Sequence, residues 1–148
     1  MRHATLLLIA TLFVVACNEP VQFEKFIRSD VAEGGVYTFD VDLADSTCTY
    51  DFLLFTRIDG EPEALANAGY LPLFITWSSP SGREATEKVF LPLTEGRNEH
   101  YSRQILTPYR VDFAPFEAGK WQIRILPGTD MGGVTGLGLR YTKKHGTR

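Results

Sequence analysis

Cys17 occupies the position in this chain that most narrowly specifies a chemistry. It follows Val14-Val15-Ala16 at the end of an apolar run from Leu6 to Ala16, broken only by Thr11, with Arg2 ahead of it. A small residue directly before a cysteine at the end of such a run is the bacterial lipobox pattern. There the thiol sulfur takes a diacylglyceryl group, the chain is cut before the cysteine, and the new amino terminus is usually acylated. Each buried methylene contributes about 0.8 kcal/mol, and two lipid signals already give stable anchoring. As a helix the run reaches only about 16 Å, against a bilayer core of about 30 Å, so it cannot span. Its length fits the apolar part of a secretory signal, and residues 1–16 are expected to be removed. An ordinary signal peptide with an incidental cysteine, or a buried apolar helix, is the plainer alternative. The N-terminal placement and the stop at cysteine favour lipidation of Cys17.

Other groups offer weaker chemistry. Asp40 and Asp42 share a strand face and Asp45 follows in a loop, an oxygen-rich grouping of the kind calcium takes. The spacing lacks the full EF-hand loop with its later Glu, and a solvated strand face explains the same residues. The stretch from Pro127 to Gly133 is glycine-rich. It has no Lys-Ser/Thr ending and no helix after it to cradle a phosphate, so it is read as a hairpin loop. His100 stands beside Glu99 and near Ser102 without a nucleophile elbow or metal-ligand spacing, and is read as an exposed loop histidine. Cys48, between Thr47 and Thr49, is read as a small buried filler rather than a nucleophile. Trp77, Tyr101, Tyr109 and Trp121 are candidates for a sugar-stacking surface. The apolar alternation around the two tryptophans places them in or beside a core.

These residues must be positioned by strands. Tyr37, Phe39 and Val41 alternate with Thr38, Asp40 and Asp42, the period of a half-buried strand. Residues 49–57 are apolar on both faces toward the middle, as in a central strand. Leu71, Leu73, Ile75 and Trp77 form one face, Val89, Leu91 and Leu93 another, and Tyr109, Val111 and Phe113 a third. Trp121, Ile123 and Ile125 precede a last strand with Leu137, Leu139 and Tyr141 on one face. Gly136 and Gly138 lie on its other face, where a neighbour can approach closely. Pro72 and Pro92 lack amide donors and belong at edges or bulges. Residues 61–68 are the one helical candidate, closed by Gly69, with a loop as the near alternative.

The expected fold class is all-β: a single, jelly-roll-like β-sandwich of about seven or eight antiparallel strands. The expected division is a signal peptide at 1–16, a lipidated N-terminus and tether at 17–33, the sandwich at 34–142 and a basic tail at 143–148. Lys143, Lys144 and Arg148 in that tail could touch anionic lipid, or be solvated.

Composition narrows the function classes. The 148 residues carry 15 basic and 18 acidic side chains, a formal net charge of −3, and removal of Arg2 with the signal makes the chain more acidic still. That balance argues against nucleic-acid binding, which needs a cationic field. With 44% hydrophobic and 22% charged residues the chain is globular in type. Two cysteines, one of them assigned to lipid, leave no disulfide framework. No nucleophile–base pair is recognisable, and the chain is read as a non-enzyme with no cofactor.

The order of several short blocks resembles the gliding-motility lipoprotein GldH family of Bacteroidetes. The blocks are the lipobox cysteine, Tyr37-Thr38-Phe39-Asp40-Val41-Asp42, the strand ending Phe55-Thr56-Arg57-Ile58, Gly69-Tyr70-Leu71-Pro72-Leu73-Phe74-Ile75, Ser79-Pro80-Ser81-Gly82, Pro115 to Trp121, and Val134 to Arg140. The resemblance covers nearly all of the chain after Cys17. It implies an envelope lipoprotein linked to gliding machinery, with envelope-protein partners and no catalytic residue set. Asn18-Glu19-Pro20 carries only one acid, which favours an outer-membrane lipoprotein facing the periplasm, with surface display open. The alternative is a carbohydrate-binding envelope lipoprotein using an aromatic face of the sandwich.

Overall fold

The computed structural model describes residues 22–130 and 132–144; Cys17 and the apolar run before it lie outside them. Among the described residues nine strands form two sheets. The strands are β1 (Gln22–Arg28), β2 (Tyr37–Leu43), β3 (Thr49–Asp59), β4 (Tyr70–Ser78), β5 (Glu84–Pro92), β6 (Arg97–Glu99), β7 (Ser102–Phe113), β8 (Gly119–Pro127) and β9 (Val134–Lys144). One short helix, α1 (Pro62–Ala66), sits inside the 61–68 stretch expected to be helical. It starts with Pro62, whose missing N–H costs nothing at a helix N-terminus. No helix of the described residues is long and apolar enough to cross a membrane.

The sheets have the orders β1-β9-β3-β7-β6 and β2-β8-β4-β5, with every paired strand antiparallel. This is the jelly-roll nesting, with β6 as a short addition at one edge. The core lies between the sheets. Tyr50, Phe52 and Leu54 of β3, Ile105 of β7, and Leu137, Leu139 and Tyr141 of β9 face Phe39, Val41, Leu73, Ile75, Trp77, Leu91, Trp121, Ile123 and Ile125, all buried. Period two along each strand produces this: alternate side chains go to opposite sides of a pleated sheet.

The structure departs from the sequence-based expectations in four places. The segment 17–33, expected to be a tether, supplies β1, an edge strand paired with β9 from Gln22↔Thr142 to Arg28↔Gly136. Phe23 stacks on Tyr141 at 5.3 Å, and Ile27 packs against the core. Lys25, exposed between Phe23 and Ile27, breaks the apolar period and hides the strand in the sequence. At the other terminus β9 runs on through Lys144, so the basic tail begins inside a strand. Lys143 pairs with Asp45 at 3.1 Å, and Lys144 with Asp51 at 2.7 Å and Asp112 at 2.9 Å. The strand count is nine rather than seven or eight because β1 and the three-residue β6 carry no sustained apolar alternation in the sequence.

Finally, the simple alternation over Tyr109–Phe113 is interrupted. The β3–β7 register slips between Leu53↔Pro108 and Phe52↔Arg110, and again before Tyr50↔Phe113. Each slip leaves one extra residue on β7, a β-bulge. Asp112 carries the second with φ of 55°, and its N–H donates to Asp51 at 2.8 Å. Val111 consequently points to solvent, while Tyr109 and Phe113 pack against the core.

The expected close approach at the β9 glycines is present. Phe26 of β1 and Phe55 of β3 stack at 5.8 Å over Gly138, the β9 residue that lies between them in the ladder. A methyl group on Gly138 would overlap the Phe55 ring, and one on Gly136 would meet the Ile27 carbonyl.

Candidate functional site

The outer face of the four-stranded sheet is divided in two. Strand β4 sends Leu71, Leu73, Ile75 and Trp77 inward, so Tyr70, Pro72, Phe74, Thr76 and Ser78 face out. Cross-strand register then sets the rows: Tyr70 beside Pro92, Pro72 beside Phe90, and Phe74 between Lys88 and Leu126. Four of these are large apolar groups left in water: Tyr70 is 69% exposed, Phe90 56%, Leu126 46% and Phe74 39%. The Lys88 ammonium lies 5.5 Å from the Phe74 ring centroid and 5.1 Å from that of Phe90. The next rows are polar. Thr76 and Thr86 share a hydrogen bond at 2.8 Å, Ser78 donates to Glu84, Arg124 pairs with Glu84 at 2.7 Å, and Gln122 donates to Asp40 at 3.0 Å. Scattered single apolar residues on a surface are ordinary, but a contiguous group rimmed by polar residues marks an interaction surface.

Both prolines fit this margin. The β4–β8 ladder begins at Leu73↔Pro127, one residue past Pro72, whose carbonyl accepts from the Gly128 N–H at 2.8 Å. Pro92 ends the edge strand β5. The missing amide donors therefore interrupt no ladder.

The apolar half also has a definite place relative to the chain's N-terminus. Gln22 pairs with Thr142, which lies opposite Asp51, and Tyr141 donates to the carbonyl of Asp42 near the end of β2 at 3.0 Å. The starts of β1 and β3 and the ends of β2, β4 and β9 thus share one end of the sandwich. Tyr70 and Pro92 lie at the opposite end, with Phe74 and Leu126 at the midpoint of β4. The span of β4 between the two ends is about 26 Å at the rise of a strand.

At the lateral edge between β5 and β7 a polar and aromatic closure seals the core. Trp77 donates its indole N–H to the Tyr109 hydroxyl at 2.8 Å. Tyr109 donates in turn to the Glu87 carboxylate, and Arg110 binds the same carboxylate oxygen at 2.7 Å. The Arg110 guanidinium sits 5.2 Å from the Trp77 ring centroid and 5.4 Å from that of Phe113. Burial, reinforced by the bond to Glu87, pushes the Tyr109 phenol well above its ordinary range. Burial alone would raise Glu87, but the bonds from Tyr109 and Arg110 and the arginine charge outweigh it and hold the carboxyl below its ordinary value. The bulges on β7 are what turn Tyr109 and Arg110 onto this edge.

The sequence-derived candidates fare unevenly. Trp77 is 5% and Trp121 3% exposed, with their rings in edge contact at 6.1 Å, so neither offers a face to a sugar. Tyr109 is engaged in the closure. Tyr101 is exposed beside His100 in the turn between β6 and β7, apart from the other three. With Arg57, Asp59, Glu99 and His100 it lines an open cleft of about 680 Å³. The exposed rings that share one face are Tyr70, Phe74 and Phe90, which the sequence reading did not single out. Their signal was the outward register of β4, the complement of the face that was read.

Asp40 and Asp42 stand on the outer side of β2, while the Asp45 carboxylate is turned into its own loop. It accepts from the Thr47 N–H at 2.9 Å, the Thr47 hydroxyl at 2.6 Å and the Cys48 thiol at 3.0 Å, and it pairs with Lys143. These bonds, Thr47 first and then Cys48, hold the Asp45 carboxyl far below its ordinary value. No group of three or more His, Cys, Asp or Glu among the described residues is placed to hold a metal ion. Cys48 is buried. The stretch after Pro127 is a crossover from β8 in one sheet to β9 in the other, not a hairpin. Arg103, also missed, is 7% exposed. It donates to the carbonyls of Leu65 and Leu93 at 2.7 Å each and to the Asn98 side chain at 2.6 Å, tying α1 to β6 and to the segment after β5.

No protein-family model matches the chain, and no curated protein matches it. Among solved structures the chain is similar to the Podospora anserina GH26-CBM35 β-(1,4)-mannanase, with 16% identity and a TM-score of 0.41. That match covers 88% of this chain and 29% of the mannanase chain.

Proposed function

We propose that this chain is a non-enzymatic, lipid-anchored component of a bacterial cell envelope, of the GldH gliding-motility type, that binds another envelope protein through the apolar half of its β4–β5–β8 face. The lipid is carried by Cys17, and the location is the outer membrane, periplasmic side. One observation carries the reading: the exposed apolar group lies on the half of the sheet face remote from the start of β1. Cys17 precedes Gln22 by five positions, a reach of at most about 17 Å. The anchored end then faces the membrane, and the apolar half is presented away from it to a neighbour.

The test has two arms. Labelling cells with an alkyne-bearing fatty acid should tag the wild-type chain and leave Cys17→Ser untagged and released from the membrane fraction. Phe74→Ser with Phe90→Ser should leave labelling and fold intact while removing the chain from its native membrane complexes. A tagged Cys17→Ser protein, or complexes indifferent to the double substitution, would falsify the corresponding half of the reading.

A carbohydrate-binding role is the second reading, favoured by the three exposed rings on one sheet face. Sugars need hydrogen bonds around a stacking ring. Among the described residues, Lys88 and the Tyr70 hydroxyl are the side-chain groups at the strand positions of this half able to provide them. The balance therefore favours a protein partner. Binding on a glycan array that is lost with Phe74→Ser and Phe90→Ser would reverse it.

A further inference from the structure

We infer that the occupant of the Tyr70–Phe74–Phe90–Leu126 face is a different protein that brings an apolar surface with a carboxylate set into it, received by Lys88, rather than a second copy of this chain. The inference rests on the docking reading above and names the chemistry of its partner. Among the described residues Lys88 is the one charged side chain at the strand positions of the apolar half, and its ammonium lies over the rings of Phe74 and Phe90. A partner that covered the two rings with apolar groups alone would strip water from that ammonium without replacing it. A carboxylate delivered to Lys88 removes that penalty, and in a site drained of water the charge-assisted bond is short and strong.

Self-association fails on the same ground. A two-fold pair built on this face places the same patch on both sides, and among the described residues the strand positions of the apolar half offer no carboxylate, Asp130 lying beyond them in the loop after β8. The nearest acids on the face are engaged: Glu84 by Ser78 and Arg124, Asp40 by Gln122. Each Lys88 would be buried against rings with no strand carboxylate to receive it, an arrangement that interfaces avoid. The membrane that holds the lipid is also a poor occupant, since along β4 the patch runs from about 13 Å at Phe74 to about 26 Å at Tyr70 from the anchored end. β5 is the edge strand of its sheet, so the patch runs to an open margin where a partner can approach from the side.

The experiment places a photo-crosslinking phenylalanine at position 90 of the full-length lipoprotein in the cells that make it, alone and combined with Lys88→Arg, Lys88→Gln or Lys88→Glu. The expected result is an adduct with one other protein, whose crosslinked peptide carries Asp or Glu within a few residues of the attachment point. Its yield should be kept by Lys88→Arg, lowered by Lys88→Gln and reduced about tenfold or more by Lys88→Glu. An adduct of twice the chain mass, an adduct with phospholipid, or a crosslinked peptide without an acid overturns the inference. So does an adduct whose yield ignores Lys88→Glu, although in that case docking at this face stands. No adduct under any of these conditions overturns both the inference and the docking reading beneath it.

Discussion

The indole N–H of Trp77 and the hydroxyl of Tyr109 meet at 2.8 Å and join β4 of one sheet to β7 of the other. The bond sits where a sandwich is weakest, at the lateral gap between two edges. Glu87 points inward from the edge strand β5 and is held there by Tyr109 and Arg110. An inward charge on an edge strand is a recognised guard against pairing with other chains, so the closure both seals the core and protects the margin. Tyr109→Phe removes the partner of a buried indole N–H, and an orphaned buried donor costs roughly 1–3 kcal/mol. The denaturant midpoint should fall accordingly with an unchanged slope. A loss of only a few tenths would show that water reaches the indole in place of the phenol.

Two β9 glycines face different obstacles and should respond differently to the same methyl group. At Gly136 the obstacles are the backbone carbonyl of Ile27 in the paired strand and the ring of Phe26; at Gly138 the obstacle is the ring of Phe55. A ring on the outer face can swing into solvent and forfeit its stack with Phe26, whereas a carbonyl fixed in a ladder cannot move without its strand. Gly138→Ala should therefore cost about 1–2 kcal/mol and Gly136→Ala about 3 kcal/mol or more. Phe55→Leu should recover part of the first loss and none of the second. Equal costs at both sites would show that β1 shifts as easily as a side chain.

The acid limb of stability has an identifiable contributor. Hydrogen bonds from Thr47 and Cys48 hold the folded Asp45 carboxyl below the 3.8 of an unperturbed group. A depressed folded value means stability that is present above the unfolded value and lost as pH falls through the folded one. Asp45→Asn should thus melt below wild type at pH 7, and the gap should close as pH drops below 3.8. Glu87 and Asp51, also held low, titrate in both proteins and cancel from the comparison. Melting temperatures from pH 7 to 2 decide it, and a gap independent of pH would place the Asp45 contribution in the shape of the loop rather than in its charge.

How far the sequence could be read follows from which interactions are local. The alternations at 37–42, 71–77 and 121–125 are set by burial on one face of a strand, so the class of fold and most of the core were legible. The outward rings of Tyr70, Phe74 and Phe90 were not. Each alone is an ordinary exposed aromatic, and only the pairing of β4 with β5 and β8 makes them neighbours. The bulges of β7 likewise depend on the register against β3, and the burial of Arg103 on three groups from separate parts of the chain. The Lys143 and Lys144 pairs looked like a tail because the carboxylates that receive them lie far away in sequence.

The β1 segment offers the sharpest contrast between a tether and a structural strand. A tether can be removed without thermodynamic consequence, because unfolded and folded chains lose the same disordered residues. An edge strand cannot. Phe23 and Ile27 are partly buried against the core, worth together roughly 2–4 kcal/mol by area, and Phe26 covers Phe55. Deleting residues 18–28 from a lipid-free form should lower stability by about 3 kcal/mol or more and bare the edge of β9 to aggregation. Should the shortened chain fail to fold at all, Phe23→Ser in the intact chain keeps the question open to measurement. Loss of its stack on Tyr141 should cost about 1–2 kcal/mol, whereas a residue in a true tether would cost nothing. An unchanged unfolding curve for Phe23→Ser would return residues 22–28 to the linker.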